Sequence, residues 1–246
     1  RMELPFLKMT PAPRNDMPLT TWAAMRAASA PREPSRAAVS MKAYLDRIMN
    51  TAEAQAMMQW VRTPASFWRL VRYADRDTPY REGLAEVDGK LTVQKGGGLC
   101  QLSNLLCWMF LHTPLTLTER HGHQVKDFPE PPSDAPLGVD ATVAEGWLDL
   151  RVRNDTEVTF QIAISFDQAH ITGRVYTARD LGLTYEAINE NLVYYRQNGR
   201  VYEGVDVVQR AIDTSSGICV STRRMYRNQC EIGYRLPAGT VVQEKG

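Results

Sequence analysis

Apolar residues recur at helical spacing in the middle of this chain: Leu102, Leu105, Leu106, Met109 and Phe110 stand at i, i+3, i+4, i+7 and i+8. The pattern predicts a helix with one buried face, beginning at Cys100 and stopped by His112-Thr113-Pro114. A similar stripe of Met41, Tyr44, Leu45, Ile48 and Met49 follows a candidate N-cap, Ser40, and continues loosely to Trp60. A short helix is expected at Trp22–Ala28. Beyond Pro114 the period changes to two. Leu115–Arg120 reads as a strand, and Val158, Phe160, Ile162 and Ile164 alternate, which pairs them with Trp147–Val152 across Asn154-Asp155. Two-residue turns mark two hairpins: Asp88-Gly89 between Gly83–Val87 and Lys90–Gln94, and Asn198-Gly199 between Val193–Arg196 and Arg200–Glu203. Helices first and strands later predict an α+β fold, with N-terminal helices followed by an antiparallel sheet.

Proline sharpens the domain boundaries. Six of the 14 prolines (Pro5, Pro11, Pro13, Pro18, Pro31 and Pro34) lie among Ala and Arg, so residues 1–40 read as an irregular arm and residues 41–246 as one domain. Within that domain the motif-bearing core is expected at 67–165 and a strand-rich extension at 166–246. A chain of 246 residues, 43% hydrophobic and 23% charged, supports a sizeable core. Twenty-nine basic against 28 acidic residues give a net charge of +1, which carries no footprint of a nucleic-acid partner. No stretch reaches the roughly 18 apolar residues of a membrane span, and residues 1–30 hold no secretory apolar region. As the sequence stands this implies a cytoplasmic protein, or an extracytoplasmic one if an export segment has been removed. Four cysteines lack CxxC spacing; Cys219 and Cys230 either pair or remain free thiols.

The candidate chemistry lies where a glycine stretch meets the central helix. Gly96-Gly97-Gly98-Leu99-Cys100-Gln101 places a thiol in or just before the first turn. There the unpaired N–H groups and the helix dipole favour an anion and lower a thiol pKa. A nucleophilic cysteine needs a base and a group that fixes the base. His121, His123 and Asp140 follow in chain order, and either histidine serves as the base on this reading. The order Cys, His, Asp over helix, strand and strand is the papain-like and transglutaminase-like arrangement. Backbone around Gly97, Gly98 and Gln101, with Ser103 nearby, is placed to serve an oxyanion. Arg120 is a candidate for binding a substrate carboxylate, and Trp68 for lining a groove. A zinc site drawn from Cys100, Cys107, His112, His121 and His123 is the rival reading, although Cys100 and Cys107 stand two helical turns apart, roughly 10 Å. No metal and no cofactor is expected.

Five segments together resemble the VanW family: Phe67-Trp68-Arg69-Leu70-Val71, Gly96 to Asn104, Glu119-Arg120-His121-Gly122-His123, Gly138-Val139-Asp140-Ala141-Thr142 and Glu145 to Asn154. The likeness runs from Phe67 to the end of the chain and includes Arg227 to Tyr234. It implies a link to vancomycin resistance and to peptidoglycan. Proteins carrying a VanW domain include L,D-transpeptidases, which make 3–3 cross-links. On that resemblance Cys100 is the nucleophile and His123 the general base, with His121 or Asp140 orienting it. The partners are stem peptides or their precursors. A non-catalytic accessory protein and a cysteine peptidase that trims stem peptides are the alternatives.

Overall fold

The computed structural model describes residues 10–11, 15–18, 59–60, 65–73, 82–87, 90–95, 98–127, 129, 135–166, 170–177 and 179–245. Strands dominate these residues. In chain order they are β1 (Thr10–Pro11), β2 (Asn15–Pro18), β3 (Gln59–Trp60), β4 (Ala65–Ser66), β5 (Glu82–Val87), β6 (Lys90–Lys95), β7 (Thr116–Glu119) and β8 (Val125–Lys126). There follow β9 (Arg151–Arg153), β10 (Phe160–Phe166), β11 (His170–Thr177), β12 (Leu183–Gln197), β13 (Arg200–Asp213), β14 (Cys219–Ile232) and β15 (Val242–Glu244). Helix α1 (Phe67–Tyr73) lies between β4 and β5, and helix α2 (Leu99–Leu111) between β6 and β7. One sheet has the order β1-β11-β10-β3, with β2 also on β11; a second runs β15-β12-β13-β14-β8. A small sheet β4-β9-β7 and the hairpin β5-β6 complete the set.

Helix α2 is the hub of the core. Its apolar residues predict burial of one face, yet Leu99 and every residue from Leu102 to Leu111 are buried, Ser103 and Asn104 included. Each fully buried Leu, Met or Phe side chain contributes about 1.5–3 kcal/mol of transfer free energy. The polar pair is tolerated because it is bonded: Asn104 Oδ1 accepts from the Ala141 N–H at 2.6 Å, and the Ser103 hydroxyl donates to the carbonyls of Cys100 and Ala141. At the far end, Gln209 of β13 gives its amide N–H groups to the Leu111 and Thr113 carbonyls, at 2.8 Å each. The helix begins at Gly98, whose φ of 92° lies in the left-handed region that glycine enters without strain. At that end Gly98, Cys100 and Gln101 come partly into solvent.

This architecture overturns the expected α+β layout with N-terminal helices and a papain-like or transglutaminase-like arrangement. Gln59–Trp60, read as the end of a helix, is a strand paired with Gln161 and Phe160. Thr10–Pro11 and Asn15–Pro18, inside the proline-rich stretch, pair with β11. The helices expected at Trp22–Ala28 and Met41–Met49 lie outside the described residues. The hairpin of Trp147–Val152 with Val158–Ile164 does not form either. Arg151–Arg153 joins β4 and β7, whereas β10 joins β11 and β3. Asn154 turns the chain between them, donating to the Val158 carbonyl at 2.8 Å and accepting from the Thr156 N–H at 3.0 Å.

Both glycine-turn hairpins are present. Val87 pairs with Lys90, and Gln197 with Arg200. In the second, Asn198 and Gly199 have φ of 51° and 77°, the two positive values that a tight type I′ turn demands. The strands it joins are far longer than the four residues a side expected from sequence. Together with β14 they form a three-stranded meander that pairs with β8 and packs against Gly122 and Gly138. Cys219 and Cys230 are free thiols, the first exposed and the second buried.

Candidate active site

Cys100 stands in the first turn of α2, half-buried, with its sulfur 3.4 Å from the Thr142 hydroxyl and 3.9 Å from the Val143 carbonyl. The segment carrying Thr142 is fixed by a bridge to His121, whose carbonyl accepts the Thr142 N–H at 2.8 Å. His123 approaches from the chain just beyond β7, and its ring acts on the Cys100 thiol through its charge and polarity. Buried Asp140 grips His123 twice: one carboxylate oxygen is 2.7 Å from Nδ1 and the other accepts the His123 backbone N–H at 2.6 Å. With Nδ1 held, Nε2 is the nitrogen left for the thiol. The double grip fixes both the ring and the chain that carries it.

The electrostatics follow from this contact. Burial pushes the Cys100 thiol up, but the hydrogen bond and charge of His123, with a further bond from Thr142, outweigh it and hold the pKa below its ordinary value of 9.0. Burial pushes His123 down, and the Asp140 and Cys100 partners reverse this and raise it to about 10. Asp140 is lowered in turn: burial opposes its ionisation, while His123 and the nearby Arg120 favour it more strongly. The directions are those of a thiolate–imidazolium pair steadied by a carboxylate.

The other residues named from sequence lie in different settings. The His121 ring turns away to Glu119, at 3.1 Å, and contributes to the site through its backbone. The Arg120 guanidinium is engaged by the Asp140 carbonyl and Asn228 Oδ1 and lies 4.1 Å from the centre of the Tyr226 ring. Ser103 is buried and bonded to backbone, and the Gln101 N–H is taken by the Gly98 carbonyl at 3.0 Å. Trp68 gives its indole N–H to the Leu148 carbonyl at 2.6 Å, tying α1 to the segment before β9. Gly97 lies outside the described residues. The proposed zinc ligands do not converge: His112 bonds the Trp108 carbonyl at the other end of α2, Cys107 is buried, and no group of three ligands is close enough among the described residues. Thr142 and Asn228 were not singled out from the sequence, although both fall in segments that resemble the VanW family; each reaches its partner across a long chain separation.

The family model described as VanW like protein matches residues 47–176, more than half of the chain. Vancomycin B-type resistance protein VanW of Enterococcus faecalis is 49% identical over 179 residues, covering 73% of this chain and 65% of the relative. The chain therefore spans slightly under two thirds of that protein's length. No solved structure matches. The motifs around Cys100, from Phe67 to Asn154, fall inside the matched range, and the chain belongs to the VanW family.

Proposed function

We propose that this protein is a cysteine acyltransferase of the L,D-transpeptidase kind, acting on peptidoglycan stem peptides in vancomycin resistance. The observation that supports it best is the Asp140 grip on His123 beside Cys100, with the thiol lowered and the imidazole raised. In this reading the Cys100 thiolate attacks the carbonyl carbon of the third stem residue, forming a C–S bond. The oxyanion develops beside the start of α2 and the Thr142 hydroxyl. As the tetrahedral intermediate collapses, His123 gives its Nε2 proton to the departing D-alanine amine and the C–N bond breaks. A thioester remains. The side-chain amine of a second stem then attacks it, His123 takes the amine proton, and the thiolate is released with a new amide formed. A tetrapeptide donor makes this linkage without the terminal D-Ala-D-Ala that vancomycin captures.

The test is Cys100→Ala with muropeptide analysis. Loss of 3–3 cross-links by roughly 1,000-fold or more is expected for a nucleophile. Unchanged cross-linking, in protein that folds as the wild type does, overturns the assignment. Release of D-alanine without cross-links assigns the same thiol to trimming.

A further inference from the structure

The family match ends at residue 176, yet the geometry of the site continues into the meander beyond it. Asp140 bonds His123 with both carboxylate oxygens, and its own backbone carbonyl is held by Arg120 Nε. Arg120 is held in its turn by β14: Nη2 donates to Asn228 Oδ1, and the guanidinium plane rests on the Tyr226 ring. Both Tyr226 and Asn228 lie outside the matched range. Asn228 is 2% exposed, so this bond is shielded from competing water.

A second, independent observation concerns the glycines. A Cβ at Gly122, between the two histidines, would stand 2.6 Å from Asn228 Oδ1 and 2.8 Å from Arg120 Nη2. A Cβ at Gly138, two residues before Asp140, would stand 2.6 Å from Val205 and 3.3 Å from the Asn228 Cβ. The two segments that deliver His123 and Asp140 thus both press onto Asn228 at positions with no room for a side chain. Strand β8 adds a third tie just past His123, through parallel pairing with Glu231 and Ile232 and a buried 2.8 Å ion pair between Lys126 and Glu203.

We propose that Asn228, with Tyr226, is a positioning residue of the Cys100 site: through Arg120 it sets the place of Asp140 and thereby the aim of the His123 ring at the thiol. The C-terminal meander is then part of the working site. The inference rests on the reading of Cys100 as a nucleophile.

The experiment follows the pH dependence of iodoacetamide alkylation at Cys100, by peptide mass spectrometry, in a full-length Cys219→Ser background. That background removes the exposed thiol, while Cys107 and Cys230 are buried. Asn228→Ala is expected to move the alkylation midpoint upward and slow modification about 3- to 10-fold at pH 7, since one pKa unit is tenfold in thiolate below the midpoint. Asn228→Asp keeps an acceptor oxygen for Arg120 and is expected to stay within about twofold of wild type by the same relation. If Asn228→Ala does not fold, Tyr226→Leu, which keeps apolar bulk and loses the ring face, supplies the same reading. A depressed wild-type midpoint that neither folded variant moves overturns the positioning role alone. An ordinary wild-type midpoint overturns the nucleophile, and the positioning role with it.

Discussion

Helix α2 and β12, the outer strand of the β12–β14 meander, are held by opposite means, while β13 between β12 and β14 buries Val205, Val207 and Val208. In α2, Leu99 and the run Leu102–Leu111 are buried, so its place is set by apolar area removed from water. In β12 only Tyr195 is buried, and the strand is held by its backbone ladder, a two-residue turn and polar ties such as the 2.8 Å bond from Asn191 to Asp206. The apolar element brings the Cys100 thiol to the surface at its N-terminal end. The meander adds apolar packing from β13 and, from β14, the Asn228–Arg120 bond behind the groups that must point at the thiol; hydrogen bonds fix direction whereas apolar packing fixes mainly volume.

The largest effect should come from breaking the apolar side. Leu105 is fully buried in the middle of α2, and Leu105→Ala is expected to cost about 2–5 kcal/mol through lost transfer free energy and a residual cavity. Urea unfolding reads this directly as a lower midpoint. A loss under about 1 kcal/mol would mean that the helix is not the hub of the core.

That helix was legible in the sequence because apolar period and burial coincide from Leu102 to Phe110. Its complete burial was not, since Ser103 and Asn104 read as a solvent face until Ala141 is seen to satisfy them. In the meander the Asn198-Gly199 turn was legible and the strand lengths were not: β12 alternates only over Leu183–Ala187, and the register shift between Glu190 and Val193 breaks the pattern before the turn. Trp147–Val152 failed for the reverse reason. Its apolar residues mimic a strand, although Ala144–Leu148 is a tight turn with Trp147 82% exposed. At the site, chain order brought Cys100, His123 and Asp140 to notice together. Spacing alone left His121 and His123 alike, because they stand two residues apart in an extended chain, and only the resemblance favoured His123; in the fold Asp140 holds the His123 ring and Glu119 takes that of His121.

A second effect, on the polar side, is a pH signature. His123 has a folded pKa of about 10 against an ordinary 6.5, so its charge stabilises the fold fully below about pH 6.5, and that contribution is lost as pH rises through about 10. The melting temperature of wild type should therefore exceed that of His123→Gln most at the acid end of this window. The gap should close steadily toward pH 10. A gap that stays constant or widens with pH would mean that the imidazolium is not held by Asp140 and Cys100 in the folded protein.

The smallest effect separates the meander's turn from its role behind the site. Gly199 has φ 77°, and nothing among the described residues lies within 4 Å of where its Cβ would stand. Gly199→Ala therefore meets no clash, and its cost is the left-handed backbone alone, about 1–2 kcal/mol. Asn228 pairs with Val205, five residues beyond Arg200, so a strained turn leaves the Arg120–Asn228 bond in register. The expected result is a lower melting temperature with an unchanged pH profile of Cys100 alkylation. If that profile moves as it does in Asn228→Ala, then general loosening of the meander controls the thiol, and the specific bond to Arg120 does not.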